Sequence, residues 1–190
     1  NNVIRNNTAN KGGGVSILNP YSAAVTATLI NNTITGNDAG GLYLFASRAV
    51  VINSILYNNT PSGTAINSVS SNLEVRYSDV ESTTTWPGEG NLNIDPQFLD
   101  DGYHLSPQSQ LQNVAVSKIN LNGTTYSCPD FDIDNNTRAG LNNPPDIGAD
   151  EVDLLAPPLG NAGRPPAKVT SGQAWRGEGG PQSTAAGCTP

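Results

Sequence analysis

Three stretches of the chain fall into one register: Asn1-Asn2-Val3-Ile4-Arg5-Asn6-Asn7, Asn31-Asn32-Thr33-Ile34-Thr35-Gly36-Asn37 and Asn53-Ser54-Ile55-Leu56-Tyr57-Asn58-Asn59. Their first column is Asn1, Asn31, Asn53; their fourth is Ile4, Ile34, Leu56; their seventh is Asn7, Asn37, Asn59. A unit of roughly 20–30 residues recurring in this way marks a solenoid, in which each unit buries its apolar face against its neighbours. Each unit also carries a glycine cluster ahead of an apolar strand: Gly12-Gly13-Gly14-Val15-Ser16-Ile17, Gly40-Gly41-Leu42-Tyr43-Leu44 and Gly63-Thr64-Ala65-Ile66. A third apolar segment leads back to the asparagine motif: Ala23 to Ile30, Ala49 to Ile52 and Leu73 to Tyr77.

Val, Ile, Leu, Thr and Ala dominate these segments, as strands prefer, and helix signals are absent. The pattern predicts an all-β chain, a parallel β-helix with one coil per repeat and strands about 4.8 Å apart. The fourth-column aliphatics then form one internal row. Asparagine suits the corners because it tolerates the left-handed conformation and because stacked amides hydrogen-bond from coil to coil. Glycine serves where a Cβ would clash. A β-sandwich is the competing fold, since short strands with turn signals fit it too; the column register favours the solenoid.

The expected organisation is β-helix coils over 1–80, a C-terminal closure over 81–155 and an extended tail over 156–190. The motif degenerates at Tyr77-Ser78-Asp79-Val80-Glu81, as a terminal repeat should. The closure is expected to cover the open end of the core. The tail is Pro/Gly-rich and thin in apolar residues apart from Trp175, so it cannot bury a core.

A net charge of −7 argues against nucleic acid as a partner, because phosphates need a basic face. No apolar run is long enough to span a bilayer. The chain opens on Asn1 inside the first repeat rather than on Met, so a processed product or a fragment with coils missing upstream is expected. The two cysteines, Cys128 and Cys188, are either unrelated thiols or a disulfide pinning the tail to the body. The second reading suits an extracellular composition, and such a loop would contribute about 4 kcal/mol.

The Asn-Asn-Thr-Ile and Gly-Gly repeats resemble right-handed parallel β-helix repeat proteins of bacterial surfaces. Gly90-Asn91-Leu92-Asn93-Ile94-Asp95-Pro96-Gln97-Phe98, followed by Tyr103-His104-Leu105-Ser106-Pro107, is similar to the block that closes many of them. Asp132-Ile133-Asp134-Asn135-Asn136-Thr137-Arg138, with Asp146-Ile147-Gly148-Ala149-Asp150-Glu151, resembles the ending of the choice-of-anchor Q domain. That ending commonly reads Asp-x-Asp-Gly, then Arg, then Asp-Ile-Gly-Ala-Tyr-Glu. Asn135 replaces the usual Gly and Asp150 the usual Tyr. The resemblance implies an exported surface protein and no defined reaction.

Asp130, Asp132 and Asp134 alternate like a calcium loop, but the remaining ligands of an EF-hand are not at their spacing. The competing reading is an ion-pair turn in which Arg138 bridges Asp132 or Asp134 to Asp146 or Glu151. For catalysis, Arg48 and Arg76 with Asp38, Asp79 and Glu81 form no matched constellation, and no carboxylate pair spans a cleft. His104, the only histidine, is expected to be packed rather than catalytic. Tyr43, Phe45 and Tyr57 are expected to point outward, either as ordinary scattered surface aromatics or as rings that stack on sugars. Asn-x-Thr sequons stand at Asn6, Asn31, Asn58, Asn122 and Asn135. The expected role is structural or adhesive, without a cofactor unless calcium. Its partners would be surface glycans, or other copies of the chain stacked head to tail. The alternatives are a filament subunit and a polysaccharide-cleaving enzyme.

Overall fold

A computed structural model of the chain describes residues 1–19, 26–61, 65–138 and 143–152. The chain divides into a compact unit, Asn1–Leu155, and a second unit, Ala156–Pro190, which lies wholly outside the described residues. The expected extended tail, Trp175 and Cys188 therefore lie outside them as well.

Among the described residues the chain is all-β and has no helix. No helix there is long and apolar enough to cross a membrane. The first sheet runs β1 (Asn2–Arg5), β4 (Asn32–Thr35), β7 (Ile55–Tyr57), β10 (Asp79–Val80). The second runs β2 (Val15–Leu18), β5 (Leu42–Phe45), β8 (Ile66–Val69), and the third β3 (Thr26–Ile30), β6 (Arg48–Ile52), β9 (Asn72–Arg76). Every pairing in these sheets is parallel, and none of the sheets closes into a barrel. The remaining strands, β11 (Lys118–Leu121) and β12 (Thr124–Ser127), form an antiparallel hairpin. Its turn is Asn122-Gly123, with φ of 51° and 83°, as a two-residue hairpin turn requires.

The register follows the sequence columns. Ile4 aligns with Ile34, Ile34 with Leu56, and Leu56 with Val80. Ile34, Leu56 and Val80 are fully buried and pack with Leu42, Leu44 and Val51 from the other sheets. Burying each such side chain stabilises the fold by about 1.5–3 kcal/mol. The glycine cluster permits close approach of neighbouring repeats. A Cβ on Gly13 would lie 1.9 Å from the Asp38 carbonyl oxygen, and one on Gly14 2.4 Å from that of Gly41.

The two roles expected of asparagine fall largely on different columns. Left-handed φ occurs at Asn6, Gly36 and Asn58, one residue ahead of the ladder of Asn7, Asn37 and Asn59. In that ladder the Nδ2 of Asn37 donates to Oδ1 of Asn59 at 3.0 Å, and its Oδ1 accepts from Nδ2 of Asn7 at 3.0 Å. Only the first column combines both roles. Asn31 and Asn53 are left-handed, and Nδ2 of Asn53 donates to Oδ1 of Asn31 at 3.2 Å.

The closing block packs in more than one place. Trp86 packs against the main core, and Leu92 bridges to Asp79 beside the last strand. Further along, Ser127 and Pro129 stand beside Ile4, Val15 and Leu29 at the edge formed by the first strands. Leu105, Leu111, Ala115 and Ile147 gather around Ile55 in a second core. Strand alternation explains this, because β7 sends Leu56 to the first core and Ile55 to the second. The Gly148 amide donates to the Asn53 carbonyl at 2.8 Å, and the Ala149 amide to Oγ1 of Thr33 at 3.0 Å. Residues 143–152 thus lie along the outer face of the first sheet.

Candidate functional site

The most elaborate polar structure is where this closing block meets the first sheet. Residues 130–138 form a tight turn, with Phe131 bridged to Thr137 and Asn135 at φ 65°. Asp132 organises it. Its Oδ1 accepts from the Asp134 amide at 2.7 Å and the Asn136 amide at 2.8 Å, as Asx turns do. Its Oδ2 accepts from Nδ2 of Asn136 at 3.1 Å and from the Glu151 amide at 3.0 Å. With four donors on it, this carboxylate is saturated.

Arg138 follows the turn, and only 2 % of its side chain is exposed. Its Nη1 donates to Oε2 of Glu151 at 3.0 Å and to the carbonyls of Asp146 and Asp150 at 3.4 and 3.3 Å. Its Nη2 donates to the carbonyls of Gly148 and Ala149 at 2.9 and 2.8 Å and to Oδ1 of Asn1 at 3.1 Å. Of the bridge expected from the sequence, the Glu151 arm is present. Asp146 is reached through its carbonyl, and Asp132 and Asp134 are not partners. The planar guanidinium suits this cage, which ties the end of the block to the first strand.

Asp130, Asp132 and Asp134 do not converge. Asp130 is exposed, Asp132 is filled by N–H groups, and Asp134 turns to His104. His104 lies between two carboxylates. Its Nδ1 meets Oδ2 of Asp101, and its Nε2 lies 2.7 Å from Oδ2 of Asp134. Its ring stacks on Tyr103 at 4.2 Å, and the Arg5 guanidinium lies 4.7 Å from the Tyr103 ring centre. Asp150, 5 % exposed, accepts the Leu105 amide at 2.8 Å. Ligand atoms of His104, Asp134 and Asp150 all lie within 4.8 Å of one another. Burial alone would lower the His104 pKa, but hydrogen bonds to Asp101 and Asp134 and the charge of Asp150 raise it above its usual value. Burial raises Asp150 to about 6.

Other expected site residues are scattered. Tyr43 and Phe45 lie on β5 of the second sheet and Tyr57 on β7 of the first. Tyr43 is only 6 % exposed, with Nζ of Lys11 3.5 Å from its hydroxyl, whereas Phe45 is exposed and Tyr57 half-buried. The exposed apolar line on the second sheet is instead Leu18, Phe45 and Val69, which align in register. Arg76 pairs with Glu74 at 2.7 Å, Arg48 is exposed on the third sheet, and Asp38 accepts from Thr8 and Thr60. Glu81 accepts the Asn58 amide at 2.8 Å. Among the sequons, Asn31 is fully buried and its Nδ2 donates to the carbonyls of Asp146 and Gly148, so it is closed to modification in the folded chain. Cys128 is half-buried, and burial pushes its thiol up to about 11. Its expected partner Cys188 is outside the described residues.

Asp79 is fully buried. Its Oδ1 accepts the Ile94 amide at 3.0 Å, while Oδ2 has no hydrogen-bond partner among the described residues. Burial, with Asp95 and Glu81 adding to it, raises its pKa from 3.8 to about 7. Between these values the folded chain holds a proton that the unfolded chain has released. This contribution to stability is fully present below about pH 4 and is lost as pH rises through about 7. It amounts to about 4 kcal/mol. Asp79→Asn is expected to flatten the decline in urea-unfolding free energy between pH 4.5 and 8; an unchanged slope would place the titration elsewhere.

Asp101, Asp150 and the pairing of His104 were not singled out from the sequence. The available signals were the short Asp101-Gly102-Tyr103-His104 spacing and Asp150 in place of the usual Tyr. Comparison with family models, curated proteins and solved structures finds no match to this chain.

Proposed function

We propose that the chain is a right-handed parallel β-helix scaffold from an exported bacterial surface protein, closed by a choice-of-anchor Q-like block and structural or adhesive in role. The observation that carries this reading is the residue-by-residue register from repeat to repeat in all three parallel sheets. A chain passing through the sheets in the order one, two, three, one again winds once per repeat. Much of its buried polar chemistry, such as the asparagine ladder, bonds one repeat to the next. Adhesion is the functional arm, with surface glycans as ligands. The test is full-length protein on a polysaccharide panel, scored for retention and for release of new chain ends. Retention without release supports an adhesin. Release of unsaturated or reducing ends would overturn it in favour of a polysaccharide-cleaving enzyme.

One observation favours self-assembly as a second reading. Strands β1, β2 and β3 are all outermost in their sheets, and Ile4, Val15 and Leu29 line a hollow of about 320 Å³ there. Such an edge accepts another strand, from preceding repeats or from another copy. Concentration-dependent polymers in light scattering would support head-to-tail stacking, and a monomer at high concentration would exclude it.

A further inference from the structure

We propose that His104, Asp134 and Asp150 form a binding site for a divalent transition metal of the zinc class, held where the closing block meets the first strand. These residues come from three separate segments, yet their ligand atoms lie within 4.8 Å of one another. One imidazole nitrogen with two carboxylates suits zinc-class ions, whereas calcium takes oxygen donors.

Three further features distinguish this group from a surface collection of acids. The first is how the histidine is held. Nδ1 of His104 is engaged by Asp101, so Nε2 is directed toward Asp134. A carboxylate behind the distal nitrogen is the usual support for a metal-binding imidazole, because it fixes both tautomer and ring orientation. The second is Asp150, which is 5 % exposed and receives only the Leu105 amide as a hydrogen-bond donor among the described residues. A buried carboxylate with so little compensation favours a nearby cation. The third is that the neighbouring guanidiniums are turned elsewhere. Arg138 is taken up by Glu151 and backbone carbonyls. Arg5 lies over Tyr103 and donates to the Asp101 carbonyl.

A groove of about 590 Å³, lined by Arg5, Asn7, Tyr103 and Asp134, opens beside the site and leaves room for water or an outside ligand to complete the coordination. On binding, the ion would take the Nε2 lone pair, and an imidazole that carries a proton there would release it to solvent. The ion would bridge the segments carrying His104, Asp134 and Asp150, and so hold the closing block together.

The test is calorimetric titration of the chelator-treated full-length chain with Zn²⁺ alone and with Ca²⁺ alone. One Zn²⁺ per chain is expected, with little heat from Ca²⁺. Asp134→Asn removes an exposed ligand that the core does not need, and binding should weaken at least about tenfold while circular dichroism is unchanged. Asp101→Asn should weaken it by about 10–100-fold, because the imidazole loses its support. His104→Gln should abolish it. Absence of saturable Zn²⁺ binding in the unaltered chain would overturn the proposal. So would Zn²⁺ affinity unaffected by Asp134→Asn, which would place the ion at another site, or Ca²⁺ binding in preference to Zn²⁺.

Discussion

Replacing Arg138 with Ala should lower the unfolding free energy by about 3–5 kcal/mol, the usual cost of removing one partner from a buried ion pair. The guanidinium serves six acceptors among the described residues, four of them backbone carbonyls. Its removal takes the guanidinium away from the buried Glu151 carboxylate, which keeps the Asp146 amide at 2.9 Å. The carbonyls of Gly148 and Ala149 lose their Nη2 donor. Since domains of this kind are stable by only about 5–15 kcal/mol, the loss threatens folding itself. Arg138→Lys should recover only part of it, because an ammonium cannot present two forked edges to separate acceptors. Arg138→Met combined with Glu151→Leu should be less damaging than Arg138→Met alone, since both halves of the buried ion pair are then replaced by apolar groups. Urea unfolding followed by tryptophan fluorescence measures all of these. A loss below about 1 kcal/mol for Arg138→Ala would show that the cage does not hold the closing block.

Asn37→Leu should cost about 4 kcal/mol. Asn37 is fully buried and its amide serves both neighbouring repeats. Nδ2 donates to the Ile4 carbonyl at 2.9 Å, the Thr35 carbonyl at 3.1 Å and Oδ1 of Asn59. Oδ1 accepts from the Asn7 backbone amide at 3.1 Å and from its side chain. Leucine matches the volume but leaves several of these groups without a partner, at about 1–3 kcal/mol for each that stays dry. Asn7→Leu, at the exposed end of the same ladder, should cost less than about 1 kcal/mol. Equal effects at the two positions would mean that the ladder does not couple the repeats.

The strands were legible because their cause is local. Short segments rich in Thr, Ile and Leu around Ile34 and Leu42, punctuated by Asn and Gly, carry the element. The register of Ile4, Ile34 and Leu56 was legible because identical positions recur. Burial of Tyr43 was not, since it depends on Lys11 and on Gly12, whose missing Cβ makes room: a Cβ there would lie 2.5 Å from that of Tyr43. The left-handed corner at Tyr77, φ 47°, was hidden because tyrosine does not announce that conformation. The Arg138 cage was half legible. A charged partner could be read from residue types, but the carbonyls that take most of its hydrogen bonds belong to no residue type. The meeting of His104 with Asp134 and Asp150 requires the closing block to fold back along the first sheet, and nothing near His104 in sequence encodes that path.

The parallel register is tested most directly by paired cysteines in a background with Cys128→Ser and Cys188→Ser. Thr28 aligns with Val50 on adjacent strands, and Val50 in turn with Glu74. Thr28→Cys with Val50→Cys should form an intramolecular disulfide on mild oxidation, since paired strands lie about 4.8 Å apart. Thr28→Cys with Glu74→Cys, two strands apart, should remain reduced. A reduced first pair, or equal cross-linking of both, would contradict the repeat-on-repeat stacking.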